Sequence, residues 1–157
     1  MKTRFLTTVC ALLTLAVLLG GCSAGAEKAP KKEVGIQLYS VRSLIGAFGN
    51  NQEDYKPVLK QLADMGYTSV EAASYKEGKI YGQTPEQFRK DVEEAGMKVL
   101  STHCTINLSD EELAAGDFSK ALAWWDECIA AHKAAGAEYI VVPSMRKIST
   151  LEELATY

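Results

Sequence analysis

The sequence has little of what local cofactor motifs require. Among its 157 residues there are two histidines, His103 and His132, 29 apart, and four cysteines, none in a C-x-x-C pair. Zinc ribbons and H-E-x-x-H metal helices are therefore excluded. No G-x-G-x-x-G and no G-x-x-x-x-G-K-[ST] occurs, which removes a local dinucleotide or nucleotide loop. Basic residues are also scarce: 17 against 20 acidic ones, with no Lys/Arg stripe, which argues against a nucleic-acid partner. What is present is globular in composition, with 47% hydrophobic and 24% charged residues in a length that suits one domain.

The longest apolar run, Phe5–Leu19, has fifteen residues including three Thr, short of the roughly 20 that a membrane-spanning helix takes. Lys2 and Arg4 precede it, and Gly20, Gly21 and Cys22 follow, which is the layout of an export signal. Leu19-Gly20-Gly21-Cys22 resembles the lipobox of bacterial lipoproteins. That resemblance implies that residues 1–21 are a removed signal peptide and that Cys22 is acylated. It also implies an exported protein, lipid-anchored to the cell membrane or outer membrane on its periplasmic or extracellular side. The competing reading is an uncleaved anchor or a plain secretory signal. Without the leader, 15 basic and 20 acidic groups leave a net charge of −5. Residues 22–33, small, polar and Pro-containing, read as a flexible tether.

From Val34 onward, strand-like and helix-like segments alternate. Val34–Val41, Thr68–Ala72, Lys98–His103 and Glu138–Pro143 are short, β-rich runs. Between them, Glu53–Met65 carries Tyr55, Val58, Leu59, Leu62 and Met65 at helical spacing, with Gly66 as its stop. Thr84-Pro85-Glu86-Gln87 is a helix start with a capping box, and Phe88, Val92 and Ala95 share a face. Asp117–Ala135 places Leu122, Trp125 and Ile129 on its apolar side. Ser149 and Glu152 suggest a fourth helix start. The class is α/β, a (βα)4 order with a parallel sheet under helices. A small open doubly wound sheet and part of a (β/α)8 TIM barrel both fit. The 136 residues left after the leader are close to half of the ~250 that such a barrel takes, and the last helix has no C-cap glycine, so half a barrel (34–157) is favoured.

Strand residues alternate in direction. Gly35, Gln37 and Tyr39 then share one face with Ser69, Glu71, Val99, Ser101 and His103, while Ile36, Leu38, Val70, Leu100 and Thr102 face the helices. A Gln, a Tyr, a Glu and a His converging on the C-terminal ends of barrel strands, where such enzymes do chemistry, are hard to explain as packing. Each has a plainer reading: Glu71 paired with a rim Lys, His103 as a hydrogen-bonded structural group, Gln37 and Tyr39 as rim packing. Arg42 reads as a loop charge, and His132, in the last turn of a helix, as a cation suited to the dipole. Trp124-Trp125 reads as packing. The Gly46–Asn51 segment reads as a turn, with closure on a ligand as the other option.

Cys104 ends a strand, and Cys128 falls about 16 Å further along the next helix at 1.5 Å per residue. Since a disulfide needs Cα atoms within about 7 Å, no bridge is expected, and titration of the unfolded, non-reduced protein should find both thiols free.

Several stretches together resemble the xylose isomerase-like TIM-barrel family, the sugar phosphate isomerase/epimerases. They are Gly35-Ile36-Gln37-Leu38-Tyr39-Ser40-Val41-Arg42; Leu62-Ala63-Asp64-Met65-Gly66-Tyr67 leading into Val70-Glu71-Ala72; Glu94-Ala95-Gly96-Met97-Lys98-Val99 leading into Ser101-Thr102-His103; and Gly136–Pro143. The resemblance implies a sugar isomerase or epimerase, with keto-sugar lyase or carbohydrate binding without catalysis as alternatives. It also implies a divalent metal (Mn, Mg, Co or Zn) whose ligands lie on later strands, outside this chain. Carried over residue by residue, Glu71 and His103 are the candidate catalytic residues and Gln37 and Tyr39 the substrate-binding ones. The expected partners are a sugar-derived small molecule, the membrane through the lipid anchor, no nucleic acid, and a second half-barrel pairing at the open sheet edges.

Overall fold

The backbone runs through eight short strands and six helices among the described residues, which in this computed structural model are 32–47, 50–51 and 54–156. The strands are β1 (Gly35–Gln37), β2 (Gly46–Ala47), β3 (Asn50–Asn51), β4 (Ser69–Ala72), β5 (Tyr75–Lys76), β6 (Lys79–Ile80), β7 (Lys98–His103) and β8 (Tyr139–Val141). The helices are α1 (Arg42–Ile45), α2 (Lys56–Asp64), α3 (Pro85–Glu94), α4 (Asp110–Ala115), α5 (Ser119–Ala134) and α6 (Leu151–Thr156). Met1–Lys32 and Glu33–Tyr157 are separate units. The expected signal peptide and Cys22 lie outside the described residues.

Four strands form one parallel sheet in the order β1-β4-β7-β8. Each strand thus lies beside the next one of the sheet in sequence. A doubly wound sheet reverses direction at a switch point and is covered on both faces. Here the order never reverses, and the core lies on one face, where Val70, Ala72 and Val99 pack with Leu59 and Leu62 of α2 and Phe88 and Val92 of α3. Winding in one direction with helices on one side is barrel geometry, so of the two architectures that fit the sequence the structure adopts the barrel portion.

The helix signals have direct counterparts. Thr84 Oγ1 accepts from Gln87 N–H at 3.2 Å, with Pro85 in the first turn where a missing donor costs little. Helices α2 and α3 stop at Gly66 (φ 98°) and Gly96 (φ 91°), left-handed positions that let Tyr67 N–H reach Leu62 O and Met97 N–H reach Val92 O. The last turns thus hand straight on to β4 and β7. Gly35 is needed for another reason: a Cβ there would lie 2.9 Å from Ser69 Oγ on the neighbouring strand.

Several expectations are corrected. The first strand ends at Gln37, and Leu38–Val41 forms a 3-10 turn leading into α1, so Tyr39 does not continue the strand alternation. Val99 does not share a face with Ser101 and His103. The register shifts between Val70 and Glu71, so Val99 sits opposite Val70 and Ser101 opposite Glu71, with Leu100 as the extra residue of a bulge. Helix α5 presents Ala121, Cys128, His132 and Ala135 to the interior, leaving Leu122 and Ile129 exposed. Small side chains let the helix approach closely, which the larger stripe at 122, 125 and 129 does not. His132 is buried, and that burial pulls its pKa below the usual 6.5, so it is neutral rather than a cation serving the dipole. Trp124 meets Tyr75 and Trp125 edge-on, the expected packing role. Helix α6 begins at Leu151, which puts Thr150 rather than Ser149 just before it. Residues of the Gly46–Asn51 segment pair as the β2–β3 hairpin.

The bridge between Cys104 and Cys128 is the clearest correction: their sulfurs are bonded, with Cα atoms 7.4 Å apart, slightly beyond the usual range and far from 16 Å. The ~16 Å is a length along the helix axis and does not measure the distance from Cys128 to the strand end. The chain between them spans a loop and α4, so α5 starts at Ser119 and brings its middle back over Cys104.

A buried carboxylate ties α2 to α3. Asp91 accepts from Tyr55 O–H at 2.7 Å and Gln87 Nε2 at 2.8 Å, and pairs with Lys56 Nζ at 2.7 Å. Burial alone would raise its pKa, but the hydrogen bonds from Lys56, Tyr55 and Gln87 outweigh that and hold it below the usual carboxylate value. Its stabilising contribution is therefore present above the unfolded-state pKa and is lost as pH falls through the lower folded value. Asp91→Ala leaves the buried Tyr55 hydroxyl without an acceptor and should cost about 2–4 kcal/mol in urea unfolding at pH 7. The gap to wild type should shrink on acidification.

Candidate functional site

Glu71 is the hub of the polar face. It stands on β4 between β1 and β7, in register with Gln37 on one side and Ser101 on the other. Its Oε1 accepts from Gln37 Nε2 at 2.6 Å and faces His103 Nε2 at 2.9 Å, and its Oε2 accepts from Ser101 O–H at 2.6 Å. Gln37 Nε2 and His103 Nε2 are themselves 3.1 Å apart, two donors converging on one carboxylate oxygen. The negative charge selects the tautomer or ionised form of His103 that carries a proton on Nε2. Glu71 and His103 side chains are 22% and 10% exposed, so the group is sheltered yet open at the Glu71 edge.

Partial burial would raise the Glu71 pKa, but hydrogen bonds from Ser101 and Gln37 and the charge and hydrogen bond of His103 outweigh it and hold the carboxyl below its usual 4.5. The group is therefore an ionised acceptor at neutral pH and a weak base. A carboxylate offers about four lone-pair sites, and three donors leave one on Oε2 for an incoming O–H.

Of the four residues singled out from sequence, three meet here: Gln37, Glu71 and His103. Tyr39 stands apart from these bonds, with the Arg42 guanidinium 4.3 Å over its ring and Arg42 donating to its carbonyl at 3.0 Å. Arg42 is thus more than a loop charge. Ser101, grouped with the inward face but given no role, is the member sequence reasoning undervalued. Its signal was its place two residues before His103 on the same strand, and so on the same face. An apolar cavity of about 400 Å³ lies beyond the ends of β7 and β8, lined among others by Thr105, Ile106, Leu122, Trp125, Val142 and Met145, and none of the cluster residues lines it.

The cluster does not fit a divalent metal. Mn and Mg take about six hard ligands and Zn about four. Here one carboxylate and one imidazole turn their donor atoms on each other. Among the described residues, the other gathering of ligand types is Cys104, Cys128 and His132, whose sulfurs are bonded to one another.

With this geometry in place, solved structures are informative. The fold is similar to a sugar phosphate isomerase/epimerase from Parabacteroides distasonis ATCC 8503, with a TM-score of 0.64 and 28% identity, over 80% of this chain and 46% of that one. A second sugar phosphate isomerase/epimerase from the same organism gives a TM-score of 0.62 over 86% of this chain and 46% of its own, and at 24% identity bears on the fold alone. The chain thus spans about half the length of these relatives. No protein-family model and no curated protein matches it. The α/β fold with its parallel sheet thus matches part of the TIM barrels of these solved structures.

Removing one donor tests the hub. Ser101→Ala should move the Glu71 carboxyl titration, followed by side-chain carbon NMR, up toward its ordinary value. It should leave the fold intact, because only one of three donors is lost.

Proposed function

We propose that this chain supplies a sugar-binding wall of an isomerase/epimerase-type barrel. Glu71 and His103 handle a proton, and Gln37 and Tyr39 contact substrate hydroxyls. One observation carries the reading: Gln37, Glu71, Ser101 and His103 form a single hydrogen-bonded group at the ends of three adjacent parallel strands. Similarity to sugar phosphate isomerase/epimerases supports it. A polyhydroxylated ligand fits the chemistry. The remaining Oε2 site of Glu71 accepts one hydroxyl, and Gln37, exposed at the cluster's edge, engages the cluster through its Nε2 and turns its amide oxygen to no member of it. The Nε2 proton of His103, shared with Glu71 Oε1, is the mobile one. This chain's own residues would bind and orient the sugar and hold that proton.

A second reading, carbohydrate binding without catalysis, is favoured by a specific feature. Glu71 is held acidic by its donors, and His103 Nδ1 is buried with no hydrogen-bond partner among the described residues. Neither is a strong exposed base as it stands.

Calorimetry with ketoses, aldoses and their phosphates should show binding that falls tenfold or more in Glu71→Gln and in His103→Ala, the loss expected for a hydrogen bond to a charged group. Unchanged affinity in both variants would refute the assignment. Deuterium uptake from D₂O at the carbon beside the sugar carbonyl decides between the two readings: uptake supports proton transfer, and binding without uptake supports the second.

The export reading is likewise a proposal. Cells fed labelled palmitate should incorporate it into the protein, and Cys22→Ala should abolish incorporation and release the protein from the membrane fraction. Label retained in that variant would contradict acylation at Cys22.

A further inference from the structure

The candidate site and the Cys104–Cys128 bridge are one residue apart. His103 is the last residue of β7, and Cys104 follows it directly, donating its N–H to Val141 O at 3.0 Å. Strand direction alternates, so His103 points to the polar face while Cys104 points to the helix side, where it meets Cys128 in the middle of α5. Both sulfurs are buried, at 3% and 0% exposure. Beside them, His132 donates from Nδ1 to Cys128 O at 2.5 Å, with the same nitrogen 3.4 Å from the Cys128 sulfur. The imidazole is neutral and packed against Tyr75, with ring centroids 4.8 Å apart.

A strand end is normally where a sheet frays, because its last residues have few ladder bonds. Here the strand end carries His103, and its hydrogen bond to Glu71 depends on where that end sits. Leu100 makes the demand sharper, since a bulge three residues before His103 loosens the ladder on the β4 side.

We propose that the Cys104–Cys128 bridge is a positioning cross-link for the candidate site, anchoring the end of β7 to α5 and so holding His103 against Glu71. The inference rests on the proposed role of the Glu71–His103 pair. In forming the bond, the two thiols lose their protons to solvent and two electrons to a disulfide oxidant, which is reduced to two thiols. Because both sulfurs are buried, exchange requires α5 to lift from the sheet or takes place during folding.

The test uses the full chain. Trypsin cuts after Lys98, Lys120 and Lys133, so non-reduced digestion should yield the peptide Val99–Lys120 linked to Ala121–Lys133. Recovering these two peptides unlinked, with free thiols, overturns the proposal. The second readout is the Glu71 carboxyl titration, compared between the bridged protein, protein held in dithiothreitol until the linked peptide disappears, and the Cys104→Ser/Cys128→Ser double variant. The groups facing Glu71 are Gln37 from β1 and Ser101 and His103 from β7. Loosening His103 should move the titration upward in both unbridged forms, with helical circular dichroism retained, and reoxidation by glutathione disulfide should restore it in the wild type. An unmoved titration overturns the proposal. So does loss of the helical signal along with it, which would make the bridge a global staple. Sugar affinity, measured on the same samples, should fall several-fold without the bridge. If no sugar binds to any form while the titration still moves, the positioning role stands and the sugar-binding reading fails.

Discussion

Two donors from β7 and one from β1 meet on a single carboxylate on the strand between them. That convergence is the constraint on which the polar face depends. Glu71 is partly buried, and an ionised carboxylate is costly there without partners. Gln37, Ser101 and His103 satisfy it, and in doing so they fix their own orientations relative to one another. The cluster is thus both a tie across three strand ends and a preorganised set of polar groups. Removing the hub would leave three inward-facing polar side chains whose mutual arrangement has no other common anchor among the bonds described.

The backbone makes this possible through one irregularity. With strict alternation along β7, Val99 would share the polar face with Ser101 and His103, which puts an apolar side chain where the site is and leaves the helix-side core short of one. The bulge at Leu100 resolves the conflict by setting Val99 against Val70 and Ser101 against Glu71. Bulges recur beside functional sites because they re-aim a side chain at small cost. At the other end of the same strand, the bridge to α5 and the hydrogen bond from Cys104 to β8 hold what the bulge has redirected.

Much of this was legible in the sequence, and what was not has identifiable causes. The βα alternation, the cap at Thr84 and the stops at Gly66 and Gly96 are local signals, and they survived because neighbouring residues alone determine them. The convergence of Gln37, Glu71 and His103 followed from strand periodicity and the family resemblance. Tyr39 was misplaced because nothing in Leu38–Val41 distinguishes an extended run from a 3-10 turn until α1 is seen to follow. The face of α5 was misread because size was taken as the guide, whereas close packing against the sheet selects Ala121, Cys128 and Ala135. Helix α4 was missed although Ser109 and Glu112 form a reciprocal capping box there, and that omission also hid the path by which Cys128 returns to Cys104.

The account's central claim is that one carboxylate couples neighbouring strand ends, and double-mutant cycles measure that coupling most directly. Gln37→Leu and His103→Phe would each be combined with Glu71→Leu, and unfolding free energies compared across the four corners of each cycle. The shared hub predicts coupling energies of about 1 kcal/mol or more in both cycles, the size seen for residues in one hydrogen-bond network. Stabilities that simply add, within about 0.3 kcal/mol, would contradict it.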